Sequence, residues 1–272
     1  MKILLLTGNH PRHLYLADTF LRSGLEVEWV IEKRESIMPQ PEKELPFNIK
    51  RLFNHHFNKR AEVEGLFFGK NSGNQALKKF QKIFEIEKID LTNGKFKKLC
   101  EKINADCLIA YGSGMIPEEI LNIQKMYKWN VHLGLSPWYR GGATHFWPSY
   151  LLEPEFTGIT VHEMTRDVDA GPVIHQQIAV INEQDGIHEN ACRLTKSFCE
   201  KFPILLSKAV NEKQNFKGIP QIINGRNFTK KLWKPEMLKI VYELYEDKIN
   251  KYCLDNNLCR EVSIKTILKE KI

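Results

Sequence analysis

The chain has 272 residues, of which 42% are hydrophobic and 27% are charged, and its formal net charge is +7. This composition excludes a disordered or fibrous chain, and since no apolar run nears the roughly 20 residues of a membrane helix, we expect a cytoplasmic protein without a membrane segment. The positive charge suits an anionic small molecule as well as nucleic acid, and the six cysteines lack C-x-x-C pairs or His partners at metal-like spacing, so no metal site is predicted.

The first elements along the chain predict a parallel sheet. An apolar run over residues 2–6 predicts a strand, apolar residues near helical spacing over 13–21 predict a helix, and residues 27–31 again predict a strand. A strand-helix-strand start implies parallel strands with a ligand crevice at their carboxyl ends. Residues 33–75 show no periodicity, so we predict an irregular excursion there.

The later patterns alternate between helix and strand, which is typical of an α/β fold. The predicted helices cover residues 75–88, 95–103, 143–152 and 187–210, and a final helix begins near Pro235, where proline suits the first turn. The predicted strands cover residues 106–110, 129–133, 158–164 and 173–180. Residues 111–114 form the predicted turn after the first of these strands.

Three side chains are candidates for catalysis. Asn130 and His132 are two positions apart on a predicted strand, so their side chains point to the same face. Acyl transfer needs a hydrogen-bond donor for the oxyanion of a tetrahedral intermediate and a base for the attacking amine, and this pair supplies both. Asp169 is the candidate for a carboxylate that fixes the imidazole. Taken alone, these residues also fit an ordinary strand end and turn, so the surrounding sequence decides between the two interpretations.

The surrounding sequence resembles the folate-dependent formyltransferases, a family that includes methionyl-tRNA, glycinamide-ribonucleotide and amino-sugar N-formyltransferases. The motifs that carry the resemblance are Asn130-Val131-His132, Ser136-Pro137, Arg140-Gly141, Thr157-Gly158-Ile159-Thr160-Val161-His162 and Asp169-Ala170-Gly171-Pro172-Val173-Ile174. The resemblance covers residues 1–210 and is strongest at 105–180. It implies a Rossmann-like, mostly parallel sheet flanked by helices. We therefore expect a catalytic domain at 1–213 and a small C-terminal extension of loop plus helix at 214–272.

The resemblance also implies roles for individual residues. Asn130 would hold the formyl oxygen, His132 would manage the amine proton, and Asp169 would orient His132 and assist the proton relay. The expected donor is N10-formyltetrahydrofolate, with no metal. Its pterin would be cradled by the loop after the predicted strand and by the residues beside Asp169, namely Tyr111, Gly112, Ser113, Gly114, Met115, Val168 and Ala170.

Four residues are candidates for binding the acceptor. Arg12 and Arg140 would contact a phosphate, although exposure to solvent is the alternative for Arg12. His145 and Trp147 would line the acceptor pocket, with a buried helix face as the alternative. His162 is expected to be a packed, hydrogen-bonded residue.

The identity of the acceptor amine is predicted by elimination. Residues 214–272 are too few for a full tRNA-binding barrel and mix basic with acidic residues, while a glycinamide-ribonucleotide enzyme would leave residues 33–95 and the C-terminal segment unexplained. We therefore expect a nucleotide-linked amino-dideoxy sugar, used for surface polysaccharides or other glycans. Methionyl-tRNA, glycinamide and hydroxyornithine remain alternative acceptors, and so do a hydrolase that releases formate and a binding protein without catalysis. A homodimer is left open, and a nucleic-acid partner is not expected.

Overall fold

The computed structural model describes residues 1–33, 38–69, 78, 80, 82–222 and 225–268. The predicted strand-helix-strand start is confirmed as β1 (Lys2–Thr7), α1 (Pro11–Arg22) and β2 (Glu26–Glu32). The other strands are β3 (Ile83–Ile86), β4 (Cys107–Tyr111), β5 (Tyr127–His132), β6 (Tyr139–Gly141), β7 (Gly158–Glu163), β8 (Val173–Ile178) and β9 (Arg226–Phe228). The other α-helices are α2 (Phe47–Phe68), α3 (Lys95–Ile103), α4 (Glu118–Leu121), α5 (Trp147–Tyr150), α6 (Ile187–Asn211) and α7 (Ile249–Asp255).

Seven of these strands form one sheet in the order β3-β2-β1-β4-β5-β7-β8. The first five of them are mutually parallel, whereas β7 runs antiparallel to both β5 and β8. This is a Rossmann-like, mostly parallel α/β sheet, as predicted. Its strand order reverses beside β1, so the carboxyl ends of β1 and β4 meet at the crevice where such sheets bind ligands.

The core lies on both faces of this sheet, because its central strands are buried on both sides. Alternate residues of β1 serve the two faces. On one face, Leu5 packs with the helices α1 and α6, whose Phe20 and Phe202 form a ring pair. On the opposite face, Leu4 packs with Phe96 of α3. The first strand is therefore a continuous apolar run because neither of its faces meets solvent.

The prediction of an irregular excursion over residues 33–75 was wrong for much of its length. Residues 47–68 form α2, a helix of 22 residues that packs against α1 and α6. Its inward face mixes apolar Leu52 and Phe53 with the buried polar residues His56 and Glu64. This mixture hides the helical repeat, because the periodicity of a helix is recognised by a continuous apolar stripe.

The predicted helix over residues 75–88 was wrong over residues 82–88. Residues 83–86 form β3, which pairs parallel with β2, and a 3₁₀ turn follows at Lys88–Leu91. Residues 70–77, 79 and 81 lie outside the described residues. The four-residue sequence Ile83-Phe84-Glu85-Ile86 has too few positions to separate a strand from a helix by its apolar spacing.

Two further helices are shorter than predicted. Within residues 143–152 only Trp147–Tyr150 is α-helical, since Ala143 and Leu152 adopt left-handed backbone angles at φ 55° and 58°. From Pro235 onward the chain forms a 3₁₀ turn (Pro235–Met237) and a π-helical turn (Ile240–Leu244) before α7 begins at Ile249. The predicted helices at 95–103 and 187–210 are confirmed as α3 and α6.

The C-terminal segment packs against the centre of the chain. Strand β9 pairs parallel with β6, and a cluster of buried apolar residues joins Leu238, Val241 and Ile249 of this segment to Phe53 of α2 and Phe146 beside α5. Among the described residues, no helix has the length and apolar character needed to cross a membrane.

Candidate active site

A cleft of about 790 Å³ opens where the parallel strands end, and it holds all three candidate catalytic residues. Strand β5 places Asn130 and His132 on this cleft, and the loop between β7 and β8 places Asp169 opposite them. Asp169 adopts a left-handed backbone conformation with φ 50°, an angle that Asp tolerates better than most residues. The sequence therefore folds three residues from separate segments to one end of a single cleft.

Asp169 lies at the centre of this group. Its Oδ2 atom is 3.3 Å from His132 Nδ1 and accepts a hydrogen bond of 2.9 Å from the Gly141 backbone N–H. Its Oδ1 atom accepts a hydrogen bond of 3.3 Å from Asn130 Nδ2 and lies 3.2 Å from His162 Nε2. Burial would raise the pKa of Asp169, but the two imidazoles and the Gly141 N–H favour the charged form and lower this pKa to about 2. Asp169 is therefore an anion at neutral pH.

The proton on His132 is assigned from its hydrogen bonds. Its Nε2 lies 2.9 Å from the carbonyl oxygen of Tyr139, which can only accept, so we place the proton of the neutral ring on Nε2. The ring is 6% exposed, and this burial lowers the pKa of His132 despite the charge of Asp169. At neutral pH the Nδ1 lone pair is thus free to take up a proton, and Asp169 lies where it stabilises the resulting cation.

His162, expected to be a packed and hydrogen-bonded residue, is buried and also joins the cluster. The register of β5 and β7 pairs it with Asn130, and its Nε2 lies 3.3 Å from Asn130 Nδ2. Its Nδ1 donates to the carbonyl oxygen of Glu163. The sequence does not predict this contact, because it depends on the antiparallel pairing of β5 with β7.

The loop after β4 forms one wall of the cleft. Tyr111, Gly112 and Ser113 line it, and Gly112 has φ 65°, with its Cα so close to the His13 ring that any side chain would overlap it. Glu32, at the end of β2, accepts a hydrogen bond from the Gly114 N–H and holds this loop from behind.

The other residues that the resemblance assigned to the pterin lie outside the cleft lining in this structure. Met115 is 82% exposed and Val168 is 45% exposed, and neither Gly114 nor Ala170 is among the lining residues. The structure therefore brings Tyr111, Gly112 and Ser113 into the cleft lining with the candidate catalytic group and leaves these four residues outside it.

The four acceptor candidates divide into two that line the cleft and two that do not. Arg12 lines it and donates to Glu64 of α2 at 2.5 Å, so it is not the solvent-exposed residue of the alternative reading. His145 lines it as well, and burial lowers the pKa of His145 to about 4, so this imidazole is neutral.

Arg140 and Trp147 are not among the lining residues. The Arg140 guanidinium donates to the carbonyl oxygen of Gly225 at 3.4 Å. Trp147 is 4% exposed, donates to the Gly142 carbonyl and stacks on Phe228, which is the buried helix face weighed as its alternative.

Several cleft residues were not anticipated from the sequence. The helix α2 contributes His56, Phe57 and Arg60, and the C-terminal segment contributes Lys230 and Trp233. The only advance signal was the positive charge of the chain. Residues so far apart in sequence become neighbours only when α2 and the C-terminal segment pack together.

Two histidines of this outer part are neutral. His56 of α2 and His188 of α6 have ring centres 4.4 Å apart, and the Tyr242 hydroxyl lies 2.8 Å from His56 Nδ1. Burial lowers the pKa of His56 to about 3 and that of His188 well below its ordinary value. They therefore offer uncharged hydrogen-bonding groups to a ligand. Within the described part of the chain, no group of three or more His, Cys, Asp or Glu side chains is arranged to hold a metal ion.

Curated relatives of this chain include the methionyl-tRNA formyltransferase of Prochlorococcus marinus (strain MIT 9215). It is 31% identical over 159 residues, which are 57% of this chain and 48% of that protein. The chain thus spans about half the length of the curated relatives it matches.

Solved structures of similar fold include formyltransferases that are named for different acceptors. A sugar N-formyltransferase from Shewanella sp. has a TM-score of 0.55 at 13% identity, covering 85% of this chain and 78% of that one. The phosphoribosylglycinamide formyltransferase of Bacillus halodurans has a TM-score of 0.55 at 14% identity, covering 79% and 98%. WlaRD, a sugar 3N-formyltransferase crystallised with dTDP and 5-N-formyl-THF, has a TM-score of 0.50 at 15% identity, covering 86% and 72%. At these identities the likeness shows a shared fold.

The family model described as "Formyl transferase" matches residues 66–205, which include Asn130, His132 and Asp169. The match covers half of the chain and contains both the strand and the loop that build the candidate catalytic group. The chain therefore belongs to the formyl transferase family.

Proposed function

We propose that this protein transfers a formyl group from N10-formyltetrahydrofolate to the amine of a nucleotide-linked amino sugar. The observation that carries the proposal is the grouping of Asn130, His132 and Asp169 within hydrogen-bonding distance at one end of the cleft. A donor, a neutral imidazole and an anionic carboxylate are the parts that formyl transfer to an amine requires.

Each of the three residues has a task that follows from its environment. The Nδ1 of neutral His132 takes up a proton from the amine as it attacks the formyl carbon, and Asp169 stabilises the imidazolium that this creates. The imidazolium then returns the proton to N10 as the bond from N10 to the formyl carbon breaks, so tetrahydrofolate leaves as a neutral amine and His132 is restored. Both contacts of Asn130 Nδ2 are 3.3 Å long, so an N–H of this amide can turn to the formyl oxygen at little cost. Removal of one such donor typically costs roughly 2.7–4 kcal/mol of activation free energy.

The donor side of the cleft fits a folate. Tyr111, Gly112 and Ser113 line the cleft beside Asn130, and the absence of a side chain at Gly112 lets this loop pack directly against the His13 ring. When bound, the folate supplies the formyl group. The protein's part is to hold it with main-chain groups of this loop, which Glu32 keeps in place.

The acceptor side suits a nucleotide. Arg12, Arg60 and Lys230 outnumber the carboxylate Glu64, which pairs with Arg12 at 2.5 Å and lies 3.9 Å from Arg60, so this part of the cleft keeps a positive balance. Phe57 and Trp233 offer aromatic surface, with ring centres 6.1 Å apart. Guanidinium and ammonium groups bind phosphates through charge-assisted hydrogen bonds, and aromatic faces stack on bases. A nucleotide-linked amino sugar offers a partner for each of these surfaces: its phosphates for the cations and its base for the aromatic rings.

Transfer to methionyl-tRNA is the second candidate function, since curated relatives carry that name. A hydrolase that releases formate would need the same three residues, but it would need no acceptor site.

Substitution of His132 tests the proposed mechanism. His132→Ala should lower turnover by at least 100-fold, because general-base catalysis contributes about 10²–10⁴-fold, while folate binding should persist. Asp169→Asn should be similarly impaired, since the imidazolium loses its counter-charge. The measurement is the rate of tetrahydrofolate formation with acceptor present, together with folate binding by calorimetry.

The matched control is His175→Ala, a buried imidazole of β8 that is not among the cleft-lining residues. It should keep turnover close to that of the parent. If His132→Ala retains more than a tenth of parental turnover, His132 is not the base.

A further inference from the structure

The short strand β6 contacts both His132 and Asp169 through its backbone. The carbonyl of Tyr139 accepts from His132 Nε2 at 2.9 Å, and the N–H of Gly141 donates to Asp169 Oδ2 at 2.9 Å. These two residues are two positions apart, so their backbone groups point to the same edge of the strand. One edge of β6 therefore sets the tautomer of the imidazole and the position of the carboxylate together.

The opposite edge of β6 is held by the C-terminal segment. Trp138 accepts a hydrogen bond from the Arg226 N–H at 3.2 Å, and Gly142 donates to the Phe228 carbonyl at 2.6 Å. The parallel register aligns Gly141 with Phe228. Gly141 has φ 91°, and a side chain there would overlap the Phe228 carbonyl, so only glycine permits this approach.

Side chains reinforce the pairing of β6 with β9. The Phe228 ring lies 5.4 Å from that of Tyr139 at an interplanar angle of 5°, and 4.6 Å from that of Trp147. The Tyr139 hydroxyl donates to Glu153, whose carboxylate also accepts from Arg226 at 3.0 Å. Phe228 itself is 8% exposed. Phe228 thus holds β6 in two ways: its ring packs on the Tyr139 side chain, and its carbonyl accepts a hydrogen bond at the edge of the strand.

We propose that the C-terminal segment positions the catalytic pair: β9 holds β6, β6 holds His132 and Asp169, and Phe228 is the central positioning residue. This inference rests on the proposed function for its kinetic test. It differs from a role in acceptor binding, because Phe228 is not among the residues that line the cleft. The C-terminal segment then has two separate tasks, since Lys230 and Trp233 face the ligand.

The test compares Phe228→Ala with Leu238→Ala, a fully buried residue of the same segment and the same apolar cluster. Phe228→Ala should lower kcat by about 100-fold, the loss expected when a catalytic group moves by about 1 Å, with little change in KM for either substrate. Phe228→Leu, which keeps apolar volume, should recover part of this loss. Leu238→Ala should lower the melting temperature while its kcat stays near the parental value.

A second measurement needs no substrate. With ¹⁵N-labelled histidine, NMR should show the Nε2-protonated tautomer of His132 in the parent and in Leu238→Ala, and a mixture of tautomers in folded Phe228→Ala or Phe228→Leu. An unchanged tautomer together with parental kcat in the Phe228 variants would overturn the inference, and so would an equal loss of kcat in Leu238→Ala. Because the NMR reading is independent of turnover, it separates failure of this inference from failure of the proposed function.

Discussion

Gly134 leaves space for the hydrogen bond between His132 and Tyr139. It lies two positions after the imidazole, and a Cβ atom there would overlap both His132 Nε2 and the Tyr139 carbonyl oxygen. These are the two atoms of the hydrogen bond that places the His132 proton. The absence of a side chain at Gly134 is therefore a condition for the tautomer with a free Nδ1.

Gly134→Ala should consequently impair catalysis as well as stability, because the methyl group would overlap the Tyr139 backbone and Thr144 in addition to the imidazole. We expect kcat to fall by roughly 10- to 100-fold, because the methyl group must displace the imidazole or the carbonyl. The measurement is kcat and melting temperature side by side. Gly24→Ala is an instructive comparison, since its φ of 78° strains a side chain although no atom lies near it. That variant should lose stability while it keeps kcat. A Gly134→Ala enzyme with parental kcat would show that this hydrogen bond is dispensable.

The candidate catalytic residues could be predicted because they lie in short sequence motifs and are residue types that acyl transfer needs. Asn130 and His132 share a strand face, and the motifs around Asp169 are contiguous in sequence. The proton assignment on His132 could not be predicted, because it depends on a carbonyl of β6 that reaches the imidazole only in the folded chain. The sequence left two positions open for Trp147, in the acceptor pocket or on a buried face, because its packing against Phe228 depends on the C-terminal segment.

At the scale of elements, α2 and the C-terminal segment together form the outer wall of the cleft. Phe53 and Phe57 of α2 pack against Trp233, with ring centres 6.2 Å and 6.1 Å apart. Neither element was predicted in its final form. The inward face of α2 carries polar residues that line the cleft. They interrupt the apolar stripe by which a helix is recognised in sequence.

This wall predicts which substitutions affect the acceptor. Lys230→Ala and Arg60→Gln should each raise KM for a nucleotide-linked amine about tenfold or more, since a hydrogen bond to a charged group contributes roughly 1.5–3 kcal/mol. The KM for the folate should stay close to that of the parent. Steady-state kinetics with each substrate varied in turn measure both constants.

Lys231→Ala is the control for net charge, because Lys231 is adjacent, exposed and not among the lining residues. Acceptor KM should not change in it. If all three variants raise KM equally, the effect comes from the overall field of the protein and not from contacts in the cleft. Unchanged acceptor KM in both Lys230→Ala and Arg60→Gln would show that the diphosphate does not bind in this part of the cleft.

For the whole molecule, the parallel half of the sheet could be predicted because buried strands appear as short apolar runs between helices. The antiparallel arrangement of β7 and β8 could not be predicted from those runs, since strand direction depends on how the connections pack. The family match spans Asn130, His132 and Asp169, the candidate catalytic residues at one end of the cleft. The outer end of the cleft is built mainly by segments outside that match. The acceptor amine is therefore identified by assay and not by family membership.

The most direct measurement incubates the intact protein with N10-formyltetrahydrofolate and a panel of amines. The panel contains nucleotide-linked 3-amino and 4-amino sugars, glycinamide ribonucleotide, hydroxyornithine and methionyl-tRNA, and both formylated product and free formate are quantified. We predict rapid, acceptor-dependent formylation of one nucleotide-linked amino sugar. Formylation of methionyl-tRNA alone, or release of formate at the same rate without any amine, would contradict the proposed function.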